Sequence, residues 1–197
     1  MIMIQTKPAI IIGQAQKPET RDTPFIKSHL WKWFARIGYE QDEIMRLFHF
    51  DALVDQGTPK GKKGRVPPQP EQMKLYRPKL VQVINAMAPR LIVPIGNLAV
   101  RAALNQRHLP LEEAVGQRFV RHPFGTCGDE TVLIPLPHPS GVSLWLNSAH
   151  NKSLFEQALY LLKEEMDMLA KKRPALMAGF EMRLKDYFFT AIIADPA

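Results

Sequence analysis

Ala9-Ile10-Ile11-Ile12 is an apolar, mostly β-branched run without polar alternation, and it stops at Gly13. A strand with one wet face alternates, whereas an unbroken apolar run has to be covered on both faces, as in a parallel sheet. Parallel strands need crossover connections, so helices must carry the chain back across the sheet. The rest of the sequence supplies them. Leu30, Trp33, Phe34 and Ile37 recur at helical spacing ahead of Gly38. "LFHFDALV" forms a second strand, with Phe48, Phe50, Ala52 and Val54 on one face. Met73, Tyr76, Leu80, Val83 and Met87 mark a helix over 71–87, after a stretch, "DQGTPKGKKGRVPPQP", that breaks every period and is expected as loop. "LIVPIG" then gives a strand, "NLAVRAAL" a helix, "QRFVRH" and "TVLIPL" further strands, and Leu154, Ala158, Leu161 and Leu162 a final amphipathic helix. Such alternation implies a layered α/β domain.

With 197 residues, 46% of them hydrophobic, the chain can bury one sizeable core. One domain is expected over 1–173, and the apolar residues after "KKRP" suit a C-terminal extension, 174–197, that docks as a helix. A net charge of +7 favours an anionic partner, nucleic acid ahead of a membrane surface because no long apolar or basic amphipathic segment is present. No run approaches the roughly 18 apolar residues of a membrane-spanning helix, and "MIMIQTKPAIIIG" lacks the basic start and cleavage site of a secretory signal. A cytoplasmic monomer is expected. The lone Cys127 excludes an internal disulfide, and no Cys/His spacing suits zinc or an iron–sulfur cluster, so no cofactor is expected.

In open α/β sheets ligands bind beyond the carboxyl ends of the strands, and two unusual segments fall there: "GQAQKPE" after the first strand and "HPSG" after the last long one. Gln14 offers an amide, His138 a titratable imidazole, and Gly13 and Gly141 allow close backbone approach. Taken singly each has a plainer explanation: Gly13 turns the chain, and His138 is a satisfied histidine of core or surface.

From Ile10 to about Leu162 the chain resembles the uracil-DNA glycosylase superfamily, closest to its iron–sulfur branch. The resemblance rests on "IIIGQAQKPE", "TPFIKSHLWKWFARIG", "FDALV", "KGKKGRVPPQPEQMKLYRPKLVQVINAMAPRLIVPIGNLAVRAAL" and "VLIPLPHPSGVSLWLN", in family order and at family spacing. It implies a three-layer αβα sandwich around a mainly parallel four-stranded sheet, with DNA as partner and hydrolysis of the bond between a deaminated base, such as uracil, and its sugar. By the same resemblance Gln14 and His138 are the catalytic pair. Gly13, Ala15, Phe25 and Asp51 line the base, Phe25 as the stacking ring and Asp51 where the family places an Asn. Pro139, Ser140 and Gly141 enter the minor groove. Lys60, Lys62, Lys63 and Arg65 meet phosphates, although such a cluster is equally a solvated face.

Three departures from the family pattern are visible. The iron–sulfur branch holds its cluster with four cysteines, and this chain has only Cys127. Ala15 stands where the best-known branch carries a carboxylate, leaving Glu19 and Asp22 as nearby substitutes. Asp51 in place of an amide can only accept when ionised, whereas uracil presents both N3–H and O4. The alternatives are therefore a catalytically inactive DNA-binding protein of the same fold, or a nucleotide-binding enzyme using the same strand ends. The chain lacks a Gly-rich phosphate motif that would favour the latter.

Overall fold

The computed structural model describes residues 7–15, 25, 28–54, 60–61, 64–126, 130–140 and 144–193, with 60, 61, 64, 65 and 172–193 described by backbone alone. Strand β1 (Ala9–Ala15) leads to helices α1 (Leu30–Arg36) and α2 (Gln41–Leu47), strand β2 (Phe48–Val54) and two short strands, β3 (Lys60–Gly61) and β4 (Gly64–Arg65). Helix α3 (Pro70–Met87), strand β5 (Leu91–Pro94), helices α4 (Asn97–Leu104) and α5 (Leu111–Ala114), and strands β6 (Phe119–Arg121) and β7 (Thr131–Leu133) follow, before helix α6 (Ala149–Ile193).

The central sheet has the order β2-β1-β5-β7-β6. The β2-β1, β1-β5 and β5-β7 pairings are parallel, while β6 joins antiparallel at the edge. The expectation of four strands is thus corrected to five. The fifth is "QRFVRH", which its own sequence marks as a strand and which the resemblance leaves out. Its residues are half-buried or exposed, as suits an edge strand with one partner.

Strand faces alternate, so β1 divides its side chains between two helical layers. Ile10 and Ile12 pack with Leu53, Ile92 and Leu133 against Leu80, Ile84 and Met87 of α3 and Val100 and Ala103 of α4. On the other face Phe48, paired with Ala9, meets Phe34 of α1 with ring centroids 5.7 Å apart, and Trp33 lies 4.6 Å from the ring of Phe155. Ile10, Ile11 and Ile12 are all fully buried. Burying such a side chain is worth about 1.5–3 kcal/mol, which is why the unalternating run specifies a two-sided cover.

Three further details differ from the sequence-based expectations. β1 continues past Gly13 because Ala15 still pairs with Val54. Within the segment expected as loop, β3 and β4 pair Lys60 with Arg65 and Gly61 with Gly64, runs too short to leave a periodic signal. α2 was not anticipated, since its seven residues bury only Ile44 and Leu47; a reciprocal capping box between Glu40 and Glu43 starts it.

The chain groups into two units, Met1–Leu162 and Lys163–Ala197. Within the first, Arg36 Nη2 donates to both carboxylate oxygens of Glu156 at 2.8 and 2.7 Å, but both side chains are about half exposed. An exposed pair contributes little, so Arg36→Ala is expected to cost less than about 1 kcal/mol in urea unfolding. A larger loss would show that the arginine stem packing near Phe155 matters more than the charge.

Candidate functional site

Strand order reverses between β1 and β5, since β2 lies on one side of β1 and β5 on the other. Such a switch point leaves a crevice at the carboxyl ends of the strands. Here the crevice is a cleft of about 460 Å³ lined by Gln14, Gly96, Asn97, Arg101, Pro110, Leu111, Glu112, His138 and Trp145. Gln14 comes from the end of β1, Gly96 follows β5, and His138 follows β7, three neighbouring strands of the sheet.

Backbone bonds fix these three positions. Ile95 N–H donates to the Ile12 carbonyl, Gly96 N–H to the Leu136 carbonyl and Leu136 N–H to the Pro94 carbonyl. The sheet is thereby extended beyond its named strands to the floor of the cleft. Gly96 has φ 80° and ψ 163°, a conformation essentially reserved for glycine. A Cβ there would lie 2.9 Å from Gln14 Nε2 and 3.4 Å from His138 Cδ2. The missing side chain at position 96 is what lets the amide and the imidazole approach one another.

His138 reaches solvent through the mouth of the cleft, yet enough protein surrounds it that lost hydration holds its pKa below the ordinary histidine value. The folded state therefore prefers the neutral ring, whereas the unfolded chain binds a proton near pH 6.5. The resulting stability is present above about pH 6.5 and is lost as pH falls through the lower folded value. His138→Gln should lose less melting temperature than wild type between pH 7.5 and 5.5 (both about one unit from pH 6.5); equal losses would remove this histidine from the pH dependence.

The other expected site residues are placed less uniformly. Phe25 has a left-handed backbone, φ 59°, an unusual conformation for an aromatic residue and one that recurs at ligand sites. Its ring lies against Gly13, where a Cβ would come within 3.0 Å of Cζ, and 6.4 Å from the ring of Phe50. Gly13 is paired with Ala52, whereas Gln14 occupies the alternate face of β1, and Phe25 does not line the cleft. Asp51, paired with Ile12, also stays outside it: Oδ1 accepts the Ala52 N–H at 2.8 Å, and Oδ2 lies 3.8 Å from His49 Nε2. Ala15 ends β1 beside Val54.

Pro139 is buried, and its carbonyl accepts the His29 N–H at 3.0 Å, while Ser28 N–H donates to the Phe25 carbonyl at 2.8 Å. The Phe25 segment and the His138 loop are joined through the start of α1. Ser140 is half-buried. Gly141, Lys62, Lys63, Glu19, Asp22 and Cys127 lie outside the described residues, as do the side chains of Lys60 and Arg65. Among the described residues, no group of three or more His, Cys, Asp or Glu is arranged to hold a metal, and no helix is long and apolar enough to cross a membrane.

Sequence reasoning missed Gly96, Asn97, Arg101, Glu112 and the role of Trp145. Only Gly96 left a usable signal, as a glycine closing an apolar strand before a helix, the same pattern that singled out Gly13. Trp145 Nε1 donates to Glu112 Oε1 at 2.8 Å, and Asn151 Nδ2 donates to the Trp145 carbonyl at 2.9 Å, so the turn after the His138 loop is held from two sides. Arg101 Nε donates to the Leu109 carbonyl at 2.9 Å.

The family model of the uracil DNA glycosylase superfamily matches residues 4–163. No curated protein matches the chain.

Proposed function

The chain belongs to the uracil DNA glycosylase superfamily, and from that membership we propose that it is a DNA-repair glycosylase, hydrolysing the bond between uracil or another deaminated base and its sugar. The observation that carries this reading is the convergence of Gln14, Gly96 and His138 at the ends of three neighbouring strands, within one cleft. Its volume falls in the range of small-molecule sites. A base stacked inside a duplex is out of reach of any such cleft, so the nucleotide must be extruded, at a cost of a few kcal/mol.

Cleaving the glycosidic bond leaves negative charge on the departing base and positive charge on the sugar. A neutral imidazole still carries one N–H, and His138 donates it to the base O2 where charge develops. The amides of Gln14 and Asn97 each donate and accept, which suits an edge presenting both N3–H and O4. They can read that edge without Asp51, whose carboxylate is engaged by the Ala52 N–H. Phe25, which packs on Gly13 outside the cleft, flanks its entrance together with Gly13 and Ala15. Pro139, Ser140 and Gly141 approach the groove, and Lys60, Lys62, Lys63 and Arg65 contact phosphates.

The test is release of free base from labelled oligonucleotides carrying uracil, hypoxanthine or xanthine, in single and double strands. Release of one base identifies the substrate. A second reading, a DNA-binding module without catalysis, is favoured only by Ala15 at the usual carboxylate position. Salt-sensitive DNA binding with no base released from any oligonucleotide would establish that reading and overturn the first.

A further inference from the structure

We propose that Glu112 takes the proton from the hydrolytic water in this cleft, an assignment that rests on the glycosylase reading. Hydrolysis needs an acceptor for that proton, and the usual position in the first motif holds Ala15. Among the described residues lining the cleft with Gln14 and His138, Glu112 is the only carboxylate. The other titratable groups among the described lining residues are His138, whose N–H is committed to the base, and Arg101, which carries no acceptor.

Glu112 is also oriented. It sits in the first turn of α5, entered through Pro110, and its Oε1 accepts the Trp145 indole N–H at 2.8 Å. One oxygen is thereby anchored, and Oε2 has no bonding partner among the described residues. Trp145 lies seven residues beyond His138, and its hydrogen bond ties the turn after the His138 loop to α5. The donor for the base and the acceptor for the water's proton line one cleft, although they come from segments far apart in sequence.

The step balances as follows for atoms and charge. The C1′–N bond breaks and its electron pair leaves with the base, stabilised at O2 by the His138 N–H. The water oxygen bonds C1′ and one water proton passes to Glu112. That proton reaches the departed base through solvent, so the water is divided between the sugar hydroxyl and the free base. General base catalysis of this kind typically contributes about 10²–10⁴-fold.

The deciding experiment is single-turnover base release by the full chain, comparing wild type, Glu112→Gln and Trp145→Phe on the oligonucleotide that wild type cleaves best. Glutamine keeps an acceptor for Trp145 and cannot take up the proton. Glu112→Gln should therefore release base roughly 10²-fold more slowly at saturation, with melting temperature and DNA affinity unchanged. Trp145→Phe, which frees the carboxylate without removing it, should lose much less. A Glu112→Gln variant that releases base at the wild-type rate overturns the assignment and leaves the glycosylase reading intact. Wild-type protein that releases no base overturns both.

Discussion

Replacing His138 with alanine is expected to slow base release by about 10²–10³-fold, corresponding to roughly 3–4 kcal/mol of transition-state stabilisation. The effect is electrostatic. Charge develops on the departing base only as the bond breaks, so a fixed donor at that point lowers the barrier more than it strengthens ground-state binding. Lost hydration favours the neutral ring, which leaves one N–H to donate without adding a competing cation. The loss should therefore appear in the single-turnover rate, with DNA affinity nearly unchanged. His138→Gln, which restores an N–H donor, should recover part of the rate. If the alanine variant cleaves as fast as wild type while the substrate is still bound, the departing base is stabilised elsewhere and His138 only shapes the cleft.

Gly96→Ala should impair both stability and catalysis. At φ 80° and ψ 163° an alanine is strained, at a cost of about 1–3 kcal/mol. For a domain of this size that lowers the melting temperature by roughly 2–4 °C per kcal/mol. The new Cβ also meets Gln14 Nε2 at 2.9 Å and crowds His138. Misplacement of catalytic groups by about 1 Å is enough to cost on the order of 10²-fold in rate. The two effects separate in a double-mutant cycle. In a Gln14→Ala background the clash with the amide is gone, so the extra rate penalty of Gly96→Ala should shrink while its effect on melting temperature persists. Additive rate losses would mean that Gly96 acts through the backbone alone. An unchanged melting temperature would remove the strain argument.

Much of the fold is legible because its signals are local. The unalternating isoleucines predict a strand buried on both faces, and the structure buries all three completely. The helical spacing of Met73 to Met87 falls within α3, whose start at Pro70 follows a capping box between Gln69 and Gln72. Short elements escaped for the converse reason: in α2 only two side chains face the core, and β3 and β4 have two residues each.

The site was legible only in part. Gln14 and His138 stand out because both follow apolar strands, and the structure brings them to the same glycine. Asp51 and Phe25 carry the same kind of local signal, yet neither lines the cleft. Strand alternation decides this for Gly13 and Gln14, which are adjacent in sequence and belong to opposite faces of β1. Asp51 shares the parity of Gln14 but sits one step back, beside Ile12.

By itself, then, the sequence determined the alternating α/β order, the two-sided core and the two strand ends at which a ligand site belongs. These depend on hydrophobic periodicity, which a chain carries whatever its distant neighbours are. Only the tertiary structure decided that β1 and β5 meet at the switch point, that Gly96 is the floor on which Gln14 and His138 meet, and that Glu112 enters the same cleft through Trp145. Those relations depend on which strands pair and on how three crossovers close, and contacts between residues 14, 96, 112, 138 and 145 leave no periodic trace in the chain.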